Sequence, residues 1–158
     1  MDFIKDIVGG FSVIENLKVS GDREGKYGVT IIVSPNSSAS AVFTSNKVVA
    51  APVTYTKNVL KKGIISAIFV NSGNANCFTG KQGILDCEKL VELVSKDLKI
   101  PKDEIAISST GVIGRTLPVD IISEVAYKSI SKLGSKAENS LAAAKAIMTT
   151  DTFPKEAA

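Results

Sequence analysis

The sequence contains no histidine, and this absence excludes a whole class of catalytic sites. Nucleophilic serine and cysteine residues commonly depend on a histidine base, so the 158 residues hold neither a Ser-His nor a Cys-His pair. Any nucleophile that this chain serves must therefore use another base or lie on another chain. The only cysteines are Cys77 and Cys87, which we expect to be reduced thiols. A structural zinc site takes four cysteine or histidine ligands, so no metal is expected.

The sequence also lacks an excess of one charge and long apolar runs. Its 19 Lys and Arg residues are interspersed with 16 Asp and Glu residues, giving a net charge of +3. A nucleic-acid surface normally concentrates its basic residues, and a membrane span needs about 18 consecutive apolar residues. The first residues show no basic start followed by a sustained apolar stretch. We therefore expect a cytoplasmic protein that binds neither nucleic acid nor membrane.

What the sequence does contain is an alternation of strand and helix patterns. At 158 residues with 44% hydrophobic side chains, residues 1–158 are expected to form one domain. Runs rich in β-branched residues predict strands at 28–34, 40–44, 52–56, 64–70 and 104–108. Apolar residues at steps of three and four predict helices at 82–98, between Pro118 and Gly134, and at 136–148. This order predicts a layered fold of the α+β or mixed α/β class.

Three loops rich in small polar residues follow predicted strands or helices. They are NSGNANCFTG at 71–80, SSTGVIG at 108–114 and MTTDTFPK at 148–155. Taken singly, each pattern is equally typical of turns and helix caps. In the second loop, the Thr110 hydroxyl stands beside the Gly111 amide, which can be approached closely because glycine has no Cβ. Two such donors that converge on one point can stabilise an oxyanion. A phosphate-binding loop would end in GK[ST], which this loop lacks. The sequence therefore favours acyl chemistry over nucleotide binding.

Four motifs closely resemble those of the ornithine acetyltransferases, which are glutamate N-acetyltransferases of arginine biosynthesis. The motifs are VFTSNKVVAAPV at 42–53, NSGNANCFTG at 71–80, SSTGVIGRTLP at 108–118 and AIMTTDTFPK at 146–155. The resemblance extends from about residue 10 to the last residue. It implies a layered α-β-β-α sandwich and a precursor that cleaves itself into an α chain, which this chain resembles, and a β chain. The family assembles as a heterotetramer of two α and two β chains.

The resemblance also implies a ping-pong reaction. An acetyl group passes from N2-acetylornithine to glutamate through an acetyl-threonine at the new N-terminus of the β chain, outside this sequence. Such a threonine can use its own α-amine, with an unperturbed pKa of about 7.7 to 8.0, as the base. The absence of histidine is then explained. Some members are bifunctional and also accept acetyl-CoA as a co-substrate, and no bound cofactor or metal is implied.

The family's functional positions fall on three sites of this sequence. Thr110 and Gly111 match the oxyanion hole, and Thr149 matches a substrate-binding position. Thr150 competes with Thr149 because the two are adjacent, and Asp151 is a candidate cap for the same turn. In the first loop, we interpret Asn71, Asn74 and Asn76 as a hydrogen-bonded scaffold near the active site. The alternative is that they contact the substrate directly.

Two departures from the family pattern are visible. Lys47 stands where many members have arginine, so a bidentate carboxylate contact is not expected there. The sequence also stops at Ala158, before a segment that holds a substrate-binding lysine in the family. We therefore interpret it as a shortened α chain that does not catalyse the reaction alone.

The sequence is also compatible with two other functions. A related self-processing aminopeptidase would hydrolyse aminoacyl amides without transferring acetyl groups. A non-catalytic module would bind acyl amino acids, such as N-acetylglutamate, without turnover.

Overall fold

A computed structural model describes residues 9–157. The four strands are β1 (Lys18–Glu24), β2 (Tyr27–Ser38), β3 (Ile64–Ser72) and β4 (Ile105–Ser109). The four helices are α1 (Ala51–Val59), α2 (Gly80–Leu98), α3 (Val119–Ile130) and α4 (Ala137–Ile147). The strands form one sheet in the order β1-β2-β3-β4, in which β4 runs parallel to β3 and the other neighbours are antiparallel. The mixed α and β class predicted from the sequence is confirmed.

The main core lies on the face of the sheet that α2 and α3 cover. In the register of the central strands, Ile31 pairs with Phe69, and Phe69 pairs with Ile107. All three side chains are buried, and full burial of such a side chain contributes about 1.5–3 kcal/mol. The buried residues of α2 and α3 that belong to this core recur at helical spacing: Cys87, Leu90, Val91, Leu93, Val94, Ile122, Val125 and Ala126.

The opposite face of β1 and β2 is covered by the alanine-rich helix α4, which lies close to the sheet. A Cβ added at Gly21 or at Gly28 would collide with backbone atoms of α4. The Thr30 hydroxyl donates a hydrogen bond to Ala143 O at 2.8 Å. The strands therefore touch the backbone of α4 directly, which fixes the position of the helix and of the chain that follows it.

Two of the predicted strands are wrong. Residues 40–44 form no regular structure, and residues 52–56 lie inside α1. Pro52 occupies the first turn of that helix, where a missing N–H costs nothing. The Thr56 side chain contacts a strand instead of belonging to one, because its Oγ1 donates to Ile107 O at 2.7 Å and accepts from Ile107 N at 2.9 Å. Helix α1 thereby covers the outer edge of β4.

Among residues 9–157, no helix combines the length and the apolar character that crossing a membrane requires.

Candidate functional site

The three polar loops begin near one another at the end of β3. Thr110 N donates to Asn71 O at 2.9 Å, so the second loop is attached where β3 ends. The next residue, Ser72, donates through its hydroxyl to Ala146 O at 2.6 Å, near the end of α4. Because the third loop starts at Met148, two consecutive residues of β3 hold the beginnings of the second and third loops.

The asparagines Asn71 and Asn74 connect the first loop to the second. Asn71 Nδ2 donates to Asn74 O at 2.9 Å, and Asn71 Oδ1 accepts from the Ser109 hydroxyl at 2.6 Å. Asn74 Nδ2 lies 3.2 Å from Arg115 O and 3.1 Å from Thr116 O. Both asparagines are buried, so these bonds satisfy amide groups that are shielded from water.

Asn76 connects the same loop to the first turns of α2. Its Nδ2 donates to Gly83 O at 2.9 Å, and its Oδ1 accepts from the Thr79 hydroxyl at 2.8 Å. Its backbone has a φ of 46°, a left-handed conformation that asparagine tolerates better than most residues. The hydrogen-bonded scaffold predicted for the three asparagines is therefore present, and this explains why the sequence concentrates them behind a buried strand.

The first and second loops also touch backbone to backbone at two glycines. Gly73 has a φ of 92° and Gly111 a φ of 130°. A Cβ on Gly111 would lie 2.5 Å from the carbonyl carbon of Gly73 and 2.6 Å from Asn74 N. Beside this contact, Ala75 N donates to Val112 O at 2.9 Å. Only glycine combines this backbone angle with this approach, so residue type and loop geometry are linked at position 111.

Thr110 and Gly111 lie where the first and second loops meet, and both residues are exposed. The Thr110 amide is bonded to Asn71 O. Within the part of the chain that the structure describes, neither the Thr110 hydroxyl nor the Gly111 N–H has a hydrogen-bond acceptor. Because both residues are exposed, a ligand can approach this part of the loop from solvent. Their assignment to an oxyanion hole stays a prediction.

Thr149 lies in an exposed turn closed by Asp151. Asp151 Oδ2 accepts from Thr149 N at 3.3 Å, and Asp151 Oδ1 is 2.5 Å from Lys155 Nζ. The Lys155 ammonium, and then the Thr149 N–H, hold the pKa of the Asp151 carboxyl below its usual value. The expected capping role of Asp151 is therefore present. Thr149 and Thr150 are both exposed, so their geometry does not select one of them as the substrate contact.

The two cysteines are free thiols. Burial raises the pKa of the Cys87 thiol to about 12, so this residue is not a thiolate nucleophile at neutral pH. No group of three or more Cys, Asp and Glu residues suited to a metal ion occurs in residues 9–157.

A mostly apolar cavity of about 300 Å³ lies between α4, the sheet and the end of the chain. Its walls include Phe11, Ile32, Ile147 and Lys155. Thr110, Gly111 and Thr149 are not among its lining residues, so this cavity is separate from the predicted site.

Sequence comparison finds the same similarity that the motifs indicate. Residues 15–158 match the model of a protein family described as the ArgJ family. The glutamate N-acetyltransferase of Methanothermobacter thermautotrophicus is 47% identical over 155 residues, which are 98% of this chain and 39% of that protein. The glutamate N-acetyltransferase of Methanosarcina acetivorans is 46% identical over 156 residues, again 98% of this chain and 39% of that protein. The chain thus spans about two-fifths of the length of these curated relatives.

Two solved structures have the same fold. The arginine biosynthesis bifunctional protein argJ of Bacillus halodurans matches with a TM-score of 0.87 and 33% identity, over 94% of this chain and 80% of that chain. The ornithine acetyltransferase of Mycobacterium tuberculosis, solved in complex with ornithine, matches with a TM-score of 0.88 and 32% identity, over 93% of this chain and 82% of that chain.

Proposed function

Because the chain belongs to the ArgJ family, we propose that it supplies the oxyanion hole and part of the substrate site of a glutamate N-acetyltransferase. The names of its relatives support this activity, and so does the bound ornithine in the mycobacterial structure. In this proposal, the nucleophilic threonine lies on the β chain of the same precursor, and the remaining substrate ligands also lie outside this sequence. The proposed assembly is a cytoplasmic heterotetramer of two α and two β chains.

The proposed reaction has two acyl-transfer steps. The threonine hydroxyl attacks the acetyl carbonyl of N2-acetylornithine and gives its proton to the threonine's own α-amine. The C–N bond breaks, the ornithine nitrogen takes up the proton, and an acetyl-threonine ester remains. The amine of glutamate then attacks this ester, which releases N-acetylglutamate and restores the hydroxyl. Each tetrahedral intermediate carries a negative oxygen, to which the Thr110 hydroxyl and the Gly111 N–H donate hydrogen bonds.

The observation that carries this proposal is the close backbone contact between Gly73 and Gly111. Donors stabilise a developing charge most effectively when they need no reorganisation during the reaction. The scaffold of Asn71 and Asn74, together with the close approach at Gly111, holds the second loop in one position. This fixed backbone supports the assignment of the two exposed donors to an oxyanion hole.

The test is an intact-mass spectrum of the natively purified full-length protein after brief exposure to N2-acetylornithine. We expect a second chain that begins with threonine and gains the mass of one acetyl group. The same gain after exposure to acetyl-CoA would establish the proposed second donor. Binding of N-acetylglutamate without any acetylated chain would contradict the transferase and favour a binding module. Hydrolysis of aminoacyl amides without acetyl transfer would favour an aminopeptidase.

The oxyanion hole is tested by Thr110→Ala. Removing one such donor lowers turnover about 100-fold or more. We expect losses of that order in acetyl transfer and a slower self-cleavage, measured by product formation and by the ratio of precursor to cleaved chains. The matched control is Ser108→Ala, which removes an exposed hydroxyl from the adjoining strand. Unchanged rates in Thr110→Ala would remove Thr110 from this role.

A further inference from the structure

The side chain of Arg23 joins the hairpin between β1 and β2 to the end of α4. Its Nη1 donates to Lys145 O at 3.2 Å, and its Nη2 donates to Met148 O at 2.8 Å. Within the hairpin, Nε donates to Gly25 O at 3.2 Å, and Nη2 is 3.3 Å from Lys26 O. A single guanidinium therefore bonds four backbone carbonyls from two distant parts of the chain.

We propose that Arg23 is a positioning residue for Thr149, because it fixes the peptide group from which Thr149 projects. The Met148 carbonyl and the Thr149 N–H belong to one planar peptide unit. Arg23 bonds the carbonyl side of this unit, and Asp151 accepts from its N–H side. With both polar groups held, the plane cannot rotate freely. The direction in which Thr149 presents its hydroxyl is thereby restricted.

Only arginine can make this set of bonds. Its planar fork offers five N–H donors on three nitrogen atoms, whereas a lysine ammonium is a single point with three donors. Lysine at position 23 would keep the charge near the C-terminal end of α4, where a cation is favourable. It could not reach the carbonyls of Gly25 and Lys26 and those of Lys145 and Met148 together.

This inference rests on the proposed function, in which Thr149 contacts the acetylated amino acid. The first measurement is the KM for N2-acetylornithine of the full-length enzyme. Loss of one neutral hydrogen bond to substrate corresponds to about a tenfold weaker interaction. We therefore expect Arg23→Ala to raise KM by about tenfold while kcat and self-cleavage change less than about twofold. Arg23→Lys should restore only part of the lost affinity.

The matched control is Lys132→Ala. Lys132 Nζ is 2.7 Å from Asp22 Oδ2, so this cation ties the same strand to the turn that follows α3, and not to α4. Lys132→Ala removes one positive charge and one contact of the hairpin, but the Met148 carbonyl still accepts its hydrogen bond from Arg23. We expect its KM to stay within about twofold of wild type. An equal rise in both variants would show a general effect of charge or hairpin stability and would overturn the inference.

A double-mutant cycle tests whether Arg23 acts through Thr149. If it does, Arg23→Ala adds no further rise in KM to a protein that already carries Thr149→Ala. Multiplicative effects of the two changes would overturn the inference. Repeating the cycle with Thr150→Ala should give multiplicative effects, because that residue lies beyond the clamped peptide.

A measurement without substrate separates this inference from the proposed function. Millisecond hydrogen exchange of the segment 145–155, followed by mass spectrometry, reports on the clamped peptide directly. We expect faster exchange in Arg23→Ala and wild-type exchange in Lys132→Ala. Unaltered exchange in Arg23→Ala would overturn the positioning role whatever the activity. If exchange changes while Thr149→Ala keeps the wild-type KM, the clamp exists and the substrate contact proposed for Thr149 is wrong.

Discussion

Replacing Gly111 by alanine should force apart the two loops that meet at the end of β3. The φ of 130° is a conformation that side-chain-bearing residues rarely adopt, and we assign this strain about 1–2 kcal/mol. The new Cβ would also lie 2.5 Å from the carbonyl carbon of Gly73. Backbone atoms cannot rotate aside as the end of a side chain can, so the loops must separate. Separation loses the hydrogen bonds of Ala75 N to Val112 O and of Val112 N to Gly73 O, each contributing about 1 kcal/mol. The expected total is about 3–4 kcal/mol.

The matched control for this prediction is Gly114→Ala. Gly114 lies in the same loop with a φ of 77°, but a Cβ there would meet no atom within 4 Å. Its substitution should therefore cost only the backbone strain of about 1–2 kcal/mol. Urea denaturation of the two variants and wild type, with the slopes compared, gives the free energies of unfolding. If Gly111→Ala is no more destabilising than Gly114→Ala, the close approach of the loops contributes nothing and our explanation of Gly111 is wrong.

Three other predictions concern the edge of the sheet and the buried thiol. Thr56→Val removes both hydrogen bonds to Ile107 and should lower the free energy of unfolding, measured by urea denaturation, by about 2–4 kcal/mol. Thr56→Ser keeps the hydroxyl and should lower it by less than half of that. Equal losses in the two variants would contradict the contact between α1 and the edge of β4. Burial raises the pKa of Cys87 to about 12, so iodoacetamide at pH 9 should modify Cys77 but not Cys87 in the native protein. In urea it should modify both cysteines, and the masses of the peptides show which residue has reacted. The folded-state pKa of Cys87 lies above the unfolded value of about 8.5, so its contribution to stability is complete below that pH and declines as the pH rises towards 12; a similar decline of stability in Cys87→Ala would contradict this.

Helices α2, α3 and α4 were predictable because apolar residues at steps of three and four need only local sequence, whereas α1 was not predicted. Helix α2 begins two residues before its predicted start and ends at the predicted Leu98. The strand predicted at 52–56 was wrong because its β-branched residues belong to a helix. Thr54 and Thr56 lie in a helix, although both residues favour strands. Strand β1 was missed because Gly21 and a charged second half hide its pairing with β2, which supplies its stability.

The candidate site was predictable in part. The sequence marked the polar loops, and the asparagine scaffold followed from the ability of the amide side chain to donate and to accept. The partners of that scaffold were not predictable, since Asn74 bonds the carbonyls of residues 41 and 42 positions away. Arg23 gave no signal at all. Its acceptors are backbone carbonyls up to 125 positions distant, and every residue has a carbonyl, so no residue type at the other end marks the contact.

The orientation of the asparagine amides has a consequence for the chemical lifetime of the protein. Asparagine is among the thermolabile residues because it deamidates to aspartate. In Asn71, Asn74 and Asn76, the nitrogen atom donates to a carbonyl oxygen, so an aspartate would place an acceptor against an acceptor. These side chains are also buried and hydrogen-bonded, which hinders the ring closure that deamidation requires. The asparagine-rich loop 71–80 is thus protected from deamidation by the same hydrogen bonds that deamidation would break.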